Sequence, residues 1–123
     1  MRVEVSGLSS GYGRITILRD LNLTVESGEI IGVLGRNGMG KSTLVHTLAG
    51  LLPATAGRIA FDGVDVTDKS VRERACSGVT TVVQGRGIFP RLTVRENLET
   101  GFACLPKSER RVPDEIFELF PVL

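Results

Sequence analysis

Gly35, Gly40, Lys41 and Ser42 stand in the spacing G-x-x-x-x-G-K-[ST] within GVLGRNGMGKST, residues 32–43. Glycines in such a loop let successive backbone N–H groups converge without a Cβ in the way, and the lysine and hydroxyl that follow add a point charge and a hard oxygen. The chemistry this combination supports is the holding of a polyphosphate. Lys41 is placed to reach β and γ phosphates, and Ser42 to ligate Mg²⁺, a cation that prefers oxygen. Arg36, Asn37, Gly38, Met39 and Thr43 are the expected remainder of the cradle.

Such a loop works only between a strand and a helix. Residues 30–34, IIGVL, form a short apolar run without alternation, which predicts a strand covered on both faces in a parallel α/β sheet. From Lys41 the period becomes helical, with Leu44 and Leu48 four apart and Gly50 available to end the helix. The N-terminus of that helix then turns its free N–H groups and positive dipole end toward the phosphates.

Upstream, Val3, Val5 and Leu8 interleave with Arg2, Glu4 and Ser6, followed by a turn at SSGYG. Ile15 and Ile17, then Leu21, Leu23 and Val25, repeat the two-residue period on either side of Arg19-Asp20, so small antiparallel β structure is expected before the loop. Downstream, PATAG reads as a loop and RIAFDGVDVT as a strand with a turn at Asp62-Gly63. Asp62 has a rival reading, as the carboxylate completing a Mg²⁺ shell. The short apolar run, Arg58 before it and the Asp-Gly pair favour the turn. SGVTTVVQG reads as a strand ending in Gln84. Thr93 and Glu96 form a capping box that opens a helix near Val94, and a further helix starts at Pro113 or Asp114.

The 123 residues, 41% hydrophobic and 24% charged, allow at most one ordinary globular domain. A formal charge of +1, from 15 basic and 14 acidic residues, offers no electrostatic case for nucleic acid. Cys76 and Cys104 lack the paired spacing of a zinc site, and read as unlinked buried thiols in a reducing cytosol. No apolar run approaches the ~18 residues that span a bilayer, and the N-terminus lacks the apolar stretch of a signal peptide. The expected location is therefore the cytoplasm.

Together these motifs resemble the nucleotide-binding subunits of ABC transporters. Tyr12 matches the aromatic that stacks on adenine in that family, GRNGMGKST matches its phosphate loop with the Asn37-Gly38 pair, and Gln84 matches its Q-loop glutamine. GRGIFPRLTVRENLETGF and PDEIFELFPVL look like the following segments in the branch serving branched-chain amino acid importers, with similar stretches in urea and short-amide importers. The resemblance implies ATP and Mg²⁺ as ligands, Lys41 and Gln84 as catalytic groups, and Ser42 and Gln84 at the metal. It also implies a head-to-tail dimer with a second ATP-binding subunit, docked on transmembrane permease subunits at the cytoplasmic face of the inner membrane and fed by a solute-binding protein.

The expected fold is an α/β P-loop NTPase domain of ABC type with a small antiparallel β subdomain. Residues 1–123 match only its N-terminal part: the signature motif, the apolar strand ending in Asp-Glu and the switch histidine have no counterpart. The chain reads as truncated, and a nucleotide-binding fragment without turnover is the alternative function; a kinase or GTPase fits less well, given the β-rich segment before the loop and Tyr12. Two departures from relatives are Val83 in place of proline before Gln84 and Gly87 in place of glutamate before Ile88.

Overall fold

The computed structural model describes every residue except Val83 and Arg86, and divides the chain into two units, Met1–Thr81 and Val82–Leu123. In the first unit, β1 (Val3–Tyr12) and β2 (Ile15–Val25) form an antiparallel hairpin, with Tyr12 opposite Ile15 across Gly13 and Arg14. The strand runs through Ser10 and Gly11, where the sequence suggests a turn, because both are laddered to β2 and Ser10 is buried. On the other side of β1 lies β3 (Ala54–Phe61), and β4 (Val64–Asp65) completes an antiparallel sheet of order β2-β1-β3-β4.

The inward-facing residues change parity along both strands of the hairpin. In β1, Val5 and then Leu8 and Ser10 are buried; in β2, Leu18 is buried while the partly buried Leu21 and Leu23 pack on the same core. Register shifts between Val5 and Leu8 and between Leu8 and Ser10 mark bulges, with Asp20 at φ 48. An extra residue flips every later side chain to the opposite face. The Gly7 amide donates to Asn22 Oδ1 (2.8 Å) and the Asp20 amide to Ser9 Oγ (3.2 Å), so the irregular stretch keeps its hydrogen bonds.

PATAG, expected as a loop, is strand from Ala54, with Ala56 opposite Ser9 and Ala54 opposite Ser10. The open edge of β1 supplies ladder partners, and pairing overrides the weak strand preference of alanine and glycine. The turn at Asp62 and Gly63 is as expected, both at positive φ. Asp62 Oδ1 accepts the Arg2 amide at 2.6 Å and the Asp62 amide donates to Arg2 O at 2.8 Å, which fits its turn role.

Residues 30–34 do not form the expected strand: among the described residues they join no ladder, and Ile30 and Leu34 are 97% and 94% exposed. A buried parallel strand is defined by its neighbours, and apolar content alone does not create one. The strand expected over residues 77–85 is also not seen among the described residues, and Val83 lies outside them. Before it the chain forms a helix not anticipated, α2 (Val71–Cys76).

Between the sheet strands, α1 (Lys41–Leu48) contributes Leu44 to the core of Val5, Leu8, Leu18, Ile59, Phe61 and Val66. In the second unit, α3 (Val94–Thr100) opens with the expected capping box of Thr93 and Glu96, and α4 (Asp114–Leu119) follows Pro113. The Arg95 guanidinium lies 5.3 Å from the centre of the Phe117 ring, linking these helices. Cys76 and Cys104 are both exposed and neither is a free thiol, which corrects the reading of unlinked buried thiols. Cys76 ends a helix whose one buried residue is Arg74, so no apolar face takes the sulfur in.

Candidate functional site

The glycine loop enters α1 through Gly40, which serves as N-cap at φ 94 and offers no side-chain hydrogen bond to the first turn. That turn contains no acidic residue. The opening N–H groups of a helix have no intrahelical acceptor, so here they are left to a ligand or solvent. A Cβ at Gly40 would lie 3.0 Å from Ile17 Cγ2 and 3.1 Å from Leu18 Cδ2 of β2. Gly40 thus holds the helix start tightly against the hairpin that carries Tyr12.

Lys41 Nζ donates to Gly35 O (2.7 Å) and Arg36 O (2.8 Å), folding the ammonium over the loop backbone. The Met39 amide donates to Arg36 O at 3.3 Å, and the Leu44 amide to Gly40 O at 2.8 Å as the helix begins. Arg36, Asn37, Gly38, Met39 and Ser42 are exposed. Thr43 is buried, so its contribution to a ligand is confined to its backbone. Gly35 has room: a Cβ there meets only Met39 Cβ, at 3.8 Å. Residues 35–43 are thus gathered into one loop and helix start, with Tyr12, 49% exposed, at the end of β1 in the same unit. Gln84 is exposed in a bend of the second unit.

Helix α1 is held at its buried side by hydroxyls. Thr47 Oγ1 lies 2.7 Å from Thr43 O and 2.8 Å from Ser10 Oγ, and Ser10 donates to Pro53 O at 2.8 Å. Buried hydroxyls of this kind stabilise only when satisfied, and these are.

Two positioning residues escape a reading of motifs alone. Arg74, 2% exposed, sits on α2, whose start is marked by a second capping box, Ser70 with Glu73, a signal present in the sequence as S-V-R-E. In the second unit Asn97 accepts from the Phe89 amide (2.8 Å) and donates to the carbonyls of Phe89 (3.1 Å), Leu92 (3.2 Å) and Thr93 (2.9 Å). It shapes the loop before α3, beside an apolar cleft of about 440 Å³ whose walls include Ile88, Phe89 and Leu98. Its signal is an asparagine inside a helix, where it must find local partners.

A four-stranded antiparallel sheet beside a glycine loop that opens a helix is the N-terminal architecture of an ABC-type nucleotide-binding domain. A family model described as ABC transporter matches residues 18–121, and the chain belongs to that family. The sulfate/thiosulfate import ATP-binding protein CysA of Neisseria meningitidis is 41% identical over 110 residues, covering 89% of this chain and 30% of its own length. The high-affinity branched-chain amino acid transport ATP-binding protein BraG of Pseudomonas aeruginosa is 38% identical over 117 residues, covering 94% of this chain and 50% of its own. A solved nucleotide-free ATP-binding cassette from an ABC transporter superposes with a TM-score of 0.73 at 26% identity, over 98% of this chain and 46% of that one. The chain therefore spans half or less of the length of these relatives. Among the described residues no helix is long and apolar enough to cross a membrane.

Proposed function

We propose that this chain is the nucleotide-binding part of the ATPase subunit of an ABC importer. The observation that carries the proposal is the uncapped start of α1, with Lys41 folded over a glycine loop and no acidic side chain in the first turn. The donor set suits a polyphosphate. Backbone N–H groups from Gly35 to Thr43 and the Lys41 ammonium would hold the phosphates, the Ser42 hydroxyl would ligate Mg²⁺, and Tyr12 would stack on the base. Mg²⁺ held there would supply neutralisation of the phosphate charge. Gln84, an exposed amide, is assigned to the metal or the attacking water and to the surface that meets the permease, with Ile88 and Phe89, 59% and 56% exposed, nearby in sequence.

Membership of the family and the import named for the relatives support a working assembly of two such subunits, head to tail, on a pair of permeases at the inner face of the membrane and fed by a solute-binding protein. For the solute we infer branched-chain amino acids, on the likeness of residues 85–102 and 113–123 to that branch and on BraG. CysA relatives make sulfate the competing solute. In a reconstituted full-length assembly, stimulation of ATP hydrolysis by a leucine-loaded binding protein supports the first, and stimulation only by a sulfate-loaded one overturns it.

Lys41→Ala tests the nucleotide site itself. Loss of a charge-assisted contact costs about 1.5–3 kcal/mol, so affinity for MgATP by calorimetry should fall about ten- to a hundredfold. Unchanged affinity would remove the loop from the proposal.

A further inference from the structure

Arg74 is a buried cation that forms no salt bridge among the described residues. Its Nε donates to Lys69 O (3.1 Å), Nη1 to Thr47 O (2.7 Å) and Leu48 O (2.9 Å), and Nη2 to Thr67 O (2.7 Å). Thr47 and Leu48 end α1, the helix whose other end is the phosphate loop. The last carbonyls of a helix lack intrahelical donors and carry the negative end of its dipole, so a guanidinium there is well placed. Burial pushes the Arg74 pKa down, and the charge of Asp68 opposes that.

Three features outside the arginine serve this placement. Gly50, at φ 81, leaves the space the side chain uses: a Cβ there would lie 3.1 Å from Arg74 Nε and 3.3 Å from its Cδ. The box of Ser70 and Glu73 fixes where α2 starts, with the Arg74 amide donating to Ser70 O at 3.0 Å. Thr67, whose carbonyl Arg74 holds, is tied by its hydroxyl to the Asp65 carboxylate (2.7 Å) and accepts the Ile59 amide (2.9 Å). One planar fork therefore joins the end of α1 to the sheet through Thr67 and to the start of α2 through Lys69, which a lysine with a single nitrogen does not reproduce.

We propose that Arg74 is a positioning residue for the phosphate loop: by fixing the C-terminal end of α1 against the sheet and α2, it sets the direction in which the helix start presents Lys41, Ser42 and the free N–H groups. The proposal rests on the nucleotide-binding reading and adds to it a residue distant in sequence from the loop. A rigid eight-residue helix turns about its anchored end, so slack at Leu48 becomes misalignment at Lys41. The penalty falls on phosphate contacts and spares contacts to the base.

The test uses the 123-residue chain with three variants: Arg74→Met, Arg74→Lys and Val66→Ala, the last a truncation in the core that α1 joins through Leu44, which loosens packing and leaves the Arg74 hydrogen bonds in place. Affinities for AMP, ADP and ATP are measured with Mg²⁺ below the melting range, and hydrogen exchange is followed at the Leu44 to Leu48 amides. Arg74→Met should weaken ATP about tenfold and AMP no more than twofold, Arg74→Lys should recover part of the loss, and Val66→Ala should bind as the parent does. Exchange in α1 should rise at least tenfold in Arg74→Met. Parent-like ATP affinity in Arg74→Met, an equal loss in Val66→Ala, or an equal loss for AMP and ATP would overturn the positioning role. If Arg74→Met does not fold, Arg74→Lys decides: parent-like ATP affinity overturns the role, and a selective loss for ATP supports it. A parent chain that binds no nucleotide overturns the nucleotide reading instead, and the exchange result then decides the anchoring of α1 alone.

Discussion

Gly40→Ala separates what the loop needs for folding from what it needs for a ligand. At φ 94 an alanine enters a region that costs an L-residue roughly 1–2 kcal/mol. Its Cβ would also press on Ile17 Cγ2 at 3.0 Å and Leu18 Cδ2 at 3.1 Å. Ile17 is half-buried and can yield, but Leu18 belongs to the core, and crowding of this kind typically adds about 1–3 kcal/mol. The expected loss is about 2–5 kcal/mol, a large share of the ~5–15 kcal/mol that holds a domain together. With a urea dependence near ~2 kcal/mol per M, the unfolding midpoint should drop by about 1–2.5 M. Gly35→Ala is the control. Its φ is not positive and its Cβ meets only Met39 Cβ at 3.8 Å, so stability should stay the same or rise by up to about 1 kcal/mol. If Gly40→Ala unfolds at the parent midpoint, or Gly35→Ala loses as much, the assignment of Gly40 as the packing glycine is wrong.

Tyr12→Ala should weaken ATP by about 1–3 kcal/mol through loss of base stacking and leave pyrophosphate binding unchanged; competition titrations with both ligands check this, and an equal effect on the two would place Tyr12 outside the base site. Ser42→Ala should weaken ATP binding in Mg²⁺ and have no effect in excess EDTA, and a defect that persists in EDTA would remove Ser42 from the metal. Hydrogen bonds from the Ser70 hydroxyl and amide, with help from Lys69, hold Glu73 down from 4.5 to about 2. Because the folded form has the lower pKa, the capping box contributes fully above pH 4.5, and its contribution fades as pH falls from there toward about 2. Ser70→Ala should therefore flatten the fall in melting temperature over that interval, and parallel curves for variant and parent would show that the box carries no pH dependence.

Features governed by neighbouring residues were legible in the chain itself. The glycine loop, the Asp62-Gly63 turn, the Thr93–Glu96 box and the start of the last helix each depend on backbone preferences and side chains within a few positions, and each stands where the spacing places it. The Ser70–Glu73 box was equally readable, and with it α2 could have been placed. What the tertiary structure alone decided is where local chemistry meets a distant partner. The bulges that reverse the facing of Leu8 and Leu21 arise from pairing between β1 and β2, and Ala54 is strand because Ser10 lies opposite it. Residues 30–34 show the converse, an apolar run that no ladder claims among the described residues. Arg74 is the strongest case. Its type and its place in the charged run Arg72-Glu73-Arg74 suggest a solvated charge, yet four carbonyls from two separate stretches, 47–48 and 67–69, converge on it. A hydrogen-bonding environment assembled from residues up to 27 positions away has no trace in the local sequence, because it exists only once the chain has closed around it.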